Sequence, residues 1–204
     1  MKRVDTRKFT VLAILIAVTL VLQIIATILP RLPGGIELSF VLIPVVVAAC
    51  FYGYVGAATV GGAFGLIVFI MGLTGATPFT TYLIFEVNWF YTIIGTVVRT
   101  TAAALLVALV FRFVSKKLSQ RSSYIVASIV APIFNTGLFI IIFLIFFNPL
   151  LREYALANGY GDNVIGYVFA GFVGVNFFIE LATTVLLAPP VCIALERVIR
   201  RKKS

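Results

Sequence analysis

The chain is written as long apolar runs separated by short polar or basic breaks. At about 20 apolar residues per bilayer crossing, this pattern predicts six spans. The first is Phe9–Leu29, ended by Pro30, Pro33, Gly34 and Gly35. The second is Leu38–Phe51 and the third Val55–Leu73, with only Tyr52-Gly53-Tyr54 between them, so these two form a tight helical hairpin. Residues 74–88 follow as an outside loop, apolar enough to fold back over the protein as a lid. The fourth span is Trp89–Val114 and the fifth Tyr124–Phe147. A polar outside stretch, Asn148–Asn163, leads to the sixth, Val164–Leu195, which the pair Pro189-Pro190 is expected to break. Gly61, Gly62 and Gly65 give the third span a small-residue face that a neighbouring helix can approach closely. The fold class expected is an all-α integral membrane protein, one domain over residues 1–204, with six transmembrane helices.

Charge supplies the orientation. Of 16 Lys and Arg, 13 fall in three clusters: Lys2, Arg3, Arg7 and Lys8; Arg112, Lys116, Lys117 and Arg121; and Arg197, Arg200, Arg201, Lys202 and Lys203. Short loops rich in Lys and Arg stay in the cytoplasm. An even number of crossings between successive clusters places both termini inside. Only Arg31 and Arg152 lie outside, and Arg99 lies within a span. The topology therefore accounts for the net charge of +9 without nucleic acid, and anionic lipid of the inner leaflet is the natural partner of the basic ends. The basic start and apolar run of the N-terminus resemble a signal peptide, but the run is too long for one and is read as a retained span.

Composition narrows the chemistry. Apolar residues make up 62% of the chain and charged ones 11%, against roughly 25% charge in a soluble domain. There is no His, which excludes His-based catalysis and the usual His metal sites. Cys50 and Cys192 have no metal spacing and read as small buried apolar residues. A Gly-rich phosphate loop of the Walker type is absent from the sequence, so ATP hydrolysis by that route is excluded. No metal site and no cofactor are implied. A membrane enzyme would want a nucleophile, a metal set or a carboxylate pair, and none is offered.

Four strongly polar residues fall inside spans: Arg99, Asn135, Asn176 and Glu180. Arg99 lies about 15 Å below the outer start of its span and Asn135 roughly 17 Å from the inner start of its own, at 1.5 Å per residue. Asn176 and Glu180 are four apart and share a helix face. All four can meet near the midplane, where an unpaired ionised side chain costs at least about 2.5–3.5 kcal/mol. Two readings follow. Arg99 and Glu180 could be an internal ion pair that only fixes packing, or the group could line a ligand cavity open to the outside, with Arg99 as an anion clamp. Gln23 is a weaker signal, and Thr100, Thr101, Thr136 and Thr183 can bond to their own backbone. At the outer interface, Tyr82, Phe85, Trp89 and Phe90 with Glu86 and Asn88 make a mixed aromatic and polar patch able to close over a small ligand. Aromatic belts would also place such rings there.

Several segments carry a family resemblance. Six short spans in about 200 residues, Leu42-Ile43-Pro44, Phe51-Tyr52-Gly53-Tyr54-Val55-Gly56-Ala57, Gly61-Gly62-Ala63-Phe64-Gly65-Leu66, and the small-xxx-small pair Ala13 and Ala17 together resemble the substrate-binding S component of an energy-coupling factor (ECF) vitamin transporter. The resemblance implies a prokaryotic plasma-membrane subunit. It captures a small water-soluble vitamin from outside and docks on a module of one transmembrane coupling subunit and two ATPase subunits. It implies Ala13 and Ala17 as the docking face, and Arg99, Asn135, Asn176, Glu180, Tyr82, Glu86, Asn88 and Trp89 as the binding set. Arg99 with Asn135-Thr136 looks most like the pantothenate branch, since an Arg clamp suits a carboxylate. The sequence shows no crowd of aromatics in spans four to six for stacking a flavin or thiazolium. Glu180 keeps pyridoxine and other vitamins open. A stand-alone secondary transporter would need its own alternating-access machinery, often an internal repeat, and the two halves show none.

Overall fold

The computed structural model describes residues 6–28 and 40–201. The prolines and glycines that end the first span, Arg31, the start of the second span at Leu38, and the basic residues Lys2, Arg3, Lys202 and Lys203 lie outside them. The described residues are almost entirely helical. α1 is Thr6–Ile28 and α2 is Leu42–Leu73. α3, Pro78–Tyr82, runs on through a π-helical turn, Leu83–Asn88. α4, Trp89–Ile93, is joined to α5, Arg99–Val114, by a second π-helical turn, Ile94–Val98. α6 is Gln120–Phe146 and α7 is Asn148–Ala157. α8, Val164–Gly166, is joined to α9, Gly174–Arg201, by a third π-helical turn, Tyr167–Val173. Five stretches are long and apolar enough to cross a membrane: Lys8–Ile28, Leu42–Leu73, Pro78–Val114, Gln120–Phe146 and Val164–Val198.

The second stretch is folded double, which makes six helical legs. Gly53 has φ 59° and ψ −146°, a backbone state open to glycine and costly for other residues. A Cβ placed on Gly56 would lie 2.7 Å from the carbonyl oxygen of Ala48. Eight residues along a straight helix these atoms would be about 12 Å apart. Farther from the bend, Val45 of arm 42–52 and Phe64 of arm 54–73 border one narrow void, with Thr100, Ala104, Ala131 and Asn135, that has room for about one water. The expected hairpin is therefore present, and its joint is one residue, because Tyr52 and Tyr54 remain helical.

The small-residue face behaves as expected. The hydroxyl of Thr100 donates across to the Gly61 carbonyl at 2.8 Å. A Cβ on Gly61 would meet Ala104 Cβ at 2.6 Å, and one on Gly65 would meet Thr96 O at 2.7 Å. Arm 54–73 thus touches α5 at Gly61 and the preceding π-helical turn at Gly65 backbone to backbone, a contact that needs glycine on one side.

Two expectations are corrected. Residues 78–88 form a helix and not a loop. It lies back on the outer end of α2, with Thr81 donating to the Gly72 carbonyl at 2.7 Å and Leu83 and Ile84 buried. The helix also passes through Pro189 and Pro190 without a break. Proline costs a transmembrane helix little where neighbouring elements hold the turn, and here the flanking Ala188 and Cys192 are fully buried in the core. The irregularity of the last span lies instead at the π-helical turn Tyr167–Val173.

Two apolar clusters fill the molecule. The inner one is built from Leu12, Val46, Val60, Ala104, Ala127, Ala188 and their neighbours. The Tyr124 ring stacks between Phe51 and Phe111, each at 5.8 Å. The Tyr124 hydroxyl donates to Glu196 at 3.4 Å, and the Arg112 guanidinium lies 5.7 Å over the Tyr54 ring. The Gly53 bend therefore sits at the same end as the close of α5, the start of α6 and the close of α9, the end that carries the basic clusters. The outer cluster is aromatic and joins α3, α4, α6, α7 and the segment 164–173.

Candidate functional site

Between the two clusters lies the polar group expected from the sequence. Arg99 opens α5 directly after the π-helical turn Ile94–Val98. Its Nε donates to the Gly95 carbonyl at 2.6 Å, and its Nη1 donates to the Asn135 carbonyl at 3.2 Å and to Asn135 Oδ1 at 3.0 Å. Asn135 Nδ2 donates in turn to Glu180 Oε2 at 3.4 Å. Asn135, Thr136 and Glu180 are buried, and Thr136 faces the same carboxylate. The expected meeting of spans four, five and six at mid-depth is thus present for Arg99, Asn135 and Glu180. It differs from a direct ion pair in that Asn135 stands between the charges and bonds to both.

Asn176 makes no bond to these three, and polar valences remain open on both α5 and α9. Arg99 Nη2 donates to no acceptor among the described residues, since the guanidinium's bonds are made by Nε and Nη1. One turn along α9 from Glu180, Asn176 Oδ1 is buried and likewise has no donor. A buried acceptor left unmade costs on the order of 1–3 kcal/mol, so a ligand that supplies a donor at Asn176 would relieve it.

Reasoning from the sequence missed the aromatic wall above this group. Phe139 lies 5.2 Å under the Arg99 guanidinium. It stacks on Phe143 at 4.1 Å, and Phe143 on Phe147 at 4.6 Å. Tyr91 sits 4.9 Å from Phe146, and Phe79 of α3 stacks on Phe143 at 6.0 Å. Tyr167 is buried in the same cluster and Phe177 packs against it. These rings of spans four to six are packed on one another, a cluster the sequence reading did not single out. The signal was there, since Phe139, Phe143 and Phe147 recur every four residues, the first two on one face of α6 and the third at its end.

The four outer residues of the expected set are placed differently. Tyr82, Glu86 and Trp89 are exposed. Asn88 is half-buried and extended, with φ −167°, and its Oδ1 accepts from the backbone N–H groups of Phe90 and Tyr91 at 2.9 and 3.1 Å. Its side chain caps the helix that carries Arg99 inward. The structure does bring Phe79 and Leu83 of the same segment onto the aromatic wall, so the segment covers the outer end as a lid would. Ala13 and Ala17 are exposed one turn apart on α1. No group of three or more metal-ligating side chains occurs among the described residues.

No curated protein and no solved structure matches this chain. Residues 7–192 match the family described as ECF transporter, substrate-specific component. That match spans the membrane legs, the polar centre and the aromatic wall, and with the all-helical multi-pass architecture it identifies a transport subunit of the prokaryotic plasma membrane: the chain belongs to the substrate-specific components of ECF transporters.

Proposed function

We propose that the chain captures a small water-soluble vitamin bearing a carboxylate, with pantothenate as the best fit, at the site formed by Arg99, Asn135, Asn176 and Glu180 beneath the aromatic wall. The observation that carries this reading is the state of Arg99. Its guanidinium is held at mid-depth mainly by neutral oxygens of Gly95 and Asn135, while Nη2 stays open. A guanidinium held rigidly with one edge unmet suits a carboxylate. Asn176 Oδ1 can accept from a ligand hydroxyl or amide. Tyr82, Glu86 and Trp89 would contribute at the mouth on closure of the lid. Glu180 weighs against an anionic ligand and favours pyridoxine or another vitamin. Asn135 supports the first choice, because it occupies the near side of that carboxylate.

Delivery, on this reading, goes through a coupling module of one transmembrane subunit and two ATPases, with the inner end in the cytoplasm and the exposed Ala13 and Ala17 as the docking face. The decisive experiment is a pantothenate titration and a thermal melt of Arg99→Gln, Glu180→Gln and the double variant. A ligand clamp predicts a large loss of affinity in Arg99→Gln with a smaller loss of stability. Unchanged affinity with a lowered melting point would make the Arg99–Asn135–Glu180 chain a packing device and remove the argument for an anionic vitamin.

A further inference from the structure

We propose that the inner turn between α5 and α6, with Tyr54 beside it, is a binding site for the phosphate headgroup of an anionic phospholipid of the cytoplasmic leaflet. The site is independent of the vitamin site. Arg112, Lys116, Lys117 and Arg121 follow one another closely along the chain, and all four are exposed. None of them is ion-paired among the described residues. The one carboxylate that the described residues place at this end, Glu196, accepts instead from the Tyr124 hydroxyl at 3.4 Å. The turn therefore presents four positive charges that the protein itself does not neutralise.

Depth puts these cations level with lipid phosphates. The span Pro78–Val114 closes just after Arg112, and the span Gln120–Phe146 opens just before Arg121. At 1.5 Å per residue, Arg112 lies about 3 Å inside the end of its span. Apolar side chains stand among the charges: Phe113 is 60% exposed, Leu118 49%, and Val55, next to Tyr54, 61%. Acyl chains can therefore lie against the same surface that holds the headgroup. Arg112 organises the site. Its guanidinium lies 5.7 Å over the Tyr54 ring, where arm 54–73 and α5 meet at the inner end. A guanidinium held over a ring loses little further freedom on binding, and its fork matches two oxygens of one phosphate. Membrane orientation asks only that Lys and Arg collect on this side. It does not ask that one of them be held over a ring at the end of a span, with no carboxylate to meet it. Clusters of four or more Lys and Arg directly cytoplasmic of a span attract anionic headgroups. A single bound headgroup here would link the Gly53 bend to the α5–α6 turn, so lipid charge would steady the inner half of the protein.

The test uses the full chain in a neutral detergent. Phosphatidylglycerol and phosphatidylcholine of matched acyl chains are offered together, and retained lipid is counted by native mass spectrometry. Wild type should retain phosphatidylglycerol in preference to phosphatidylcholine. Arg112→Gln should weaken that retention by about fivefold, and the triple variant Lys116→Gln, Lys117→Gln, Arg121→Gln by more, at roughly fivefold per cation removed. Tyr54→Leu should weaken it as well, whereas Tyr54→Phe keeps the ring and should keep the preference. Arg197→Gln, which removes an exposed cation of the C-terminal cluster, should leave it unchanged. Equal retention of the two lipids by wild type would overturn the site and leave the turn to an acidic protein surface. A loss in Arg197→Gln as large as in Arg112→Gln would show diffuse attraction and overturn it too. Displacement of the lipid by inorganic phosphate in millimolar excess would make the ligand a free anion and overturn the lipid assignment. The substituted cations are exposed, so the variants should melt with wild type in lipid-free detergent. If Arg112→Gln melts lower, Arg112→Lys, which keeps the charge and loses the fork, replaces it, and retention equal to wild type would overturn the role of Arg112.

Discussion

The inner and outer halves of this protein are built on different rules. The inner half is regular helix packed through small residues. Gly61 lets α5 approach to backbone contact, and Ala48, Ala57, Ala104 and Ala127 are all but inaccessible. The outer half is packed through rings, and two of its membrane segments carry π-helical turns: Pro78–Val114 at Leu83–Asn88 and Ile94–Val98, and Val164–Val198 at Tyr167–Val173. One extra residue in a turn rotates everything after it by about 100°. Two of these turns end directly before the helices that bear Arg99, and Asn176 and Glu180. Such turns are frequent at functional sites. Here the π turns decide which way the polar side chains face, while the inner half supplies a rigid frame against which that choice is held.

The comparison can be broken at several points, and the largest effect is expected at the boundary between the halves. Arg99→Gln keeps hydrogen bonding but loses the charge and the fork. It should weaken pantothenate binding by about 2–5 kcal/mol, some 30-fold or more, as measured by calorimetry on the isolated chain. Next comes the frame. Gly65→Val would drive a side chain into the backbone of residues 96 and 97, which cannot give way. It should lower stability by about 1–3 kcal/mol, visible as a reduced melting temperature and folded yield. Gly53→Ala forces a β-carbon into the left-handed region at the bend. Its expected cost is about 1–2 kcal/mol in the same melt, and a neutral result would mean that the hairpin does not depend on glycine there. The smallest effect falls at the outer rim. Asn88→Ala removes the cap of the helix leading to Arg99 and should cost about 1 kcal/mol of stability. Affinity should fall with it only if that cap also sets the depth of Arg99. Separately, replacing Ala13 and Ala17 together with Trp should abolish co-purification with the ATPase subunits while leaving ligand binding intact. Normal co-purification would exclude that face of α1 as the docking surface.

Much of this was determined by sequence alone, because the bilayer makes demands that a chain must meet residue by residue. An apolar run has to be long enough to span, every backbone group has to be satisfied within a helix, and Lys and Arg have to collect on one side. The spans, the tight reversal at Tyr52-Gly53-Tyr54, the glycine contact of the third leg and the meeting of Arg99, Asn135 and Glu180 all follow from such local requirements. What only the tertiary structure decided are the features that depend on a neighbour. Asn135 intervenes between two charges because α6 runs between α5 and α9 at that depth. Asn88 is a cap because the chain turns extended there before re-entering as helix. The prolines at 189 and 190 stay helical because packing around Ala188 and Cys192 holds the turn. The rings of α6 become a wall because α3 and α4 bring Phe79 and Tyr91 onto it. The π turns, which aim the polar side chains, leave no composition signature at all, since an extra residue in a turn is invisible until the next helix has to fit against its partner.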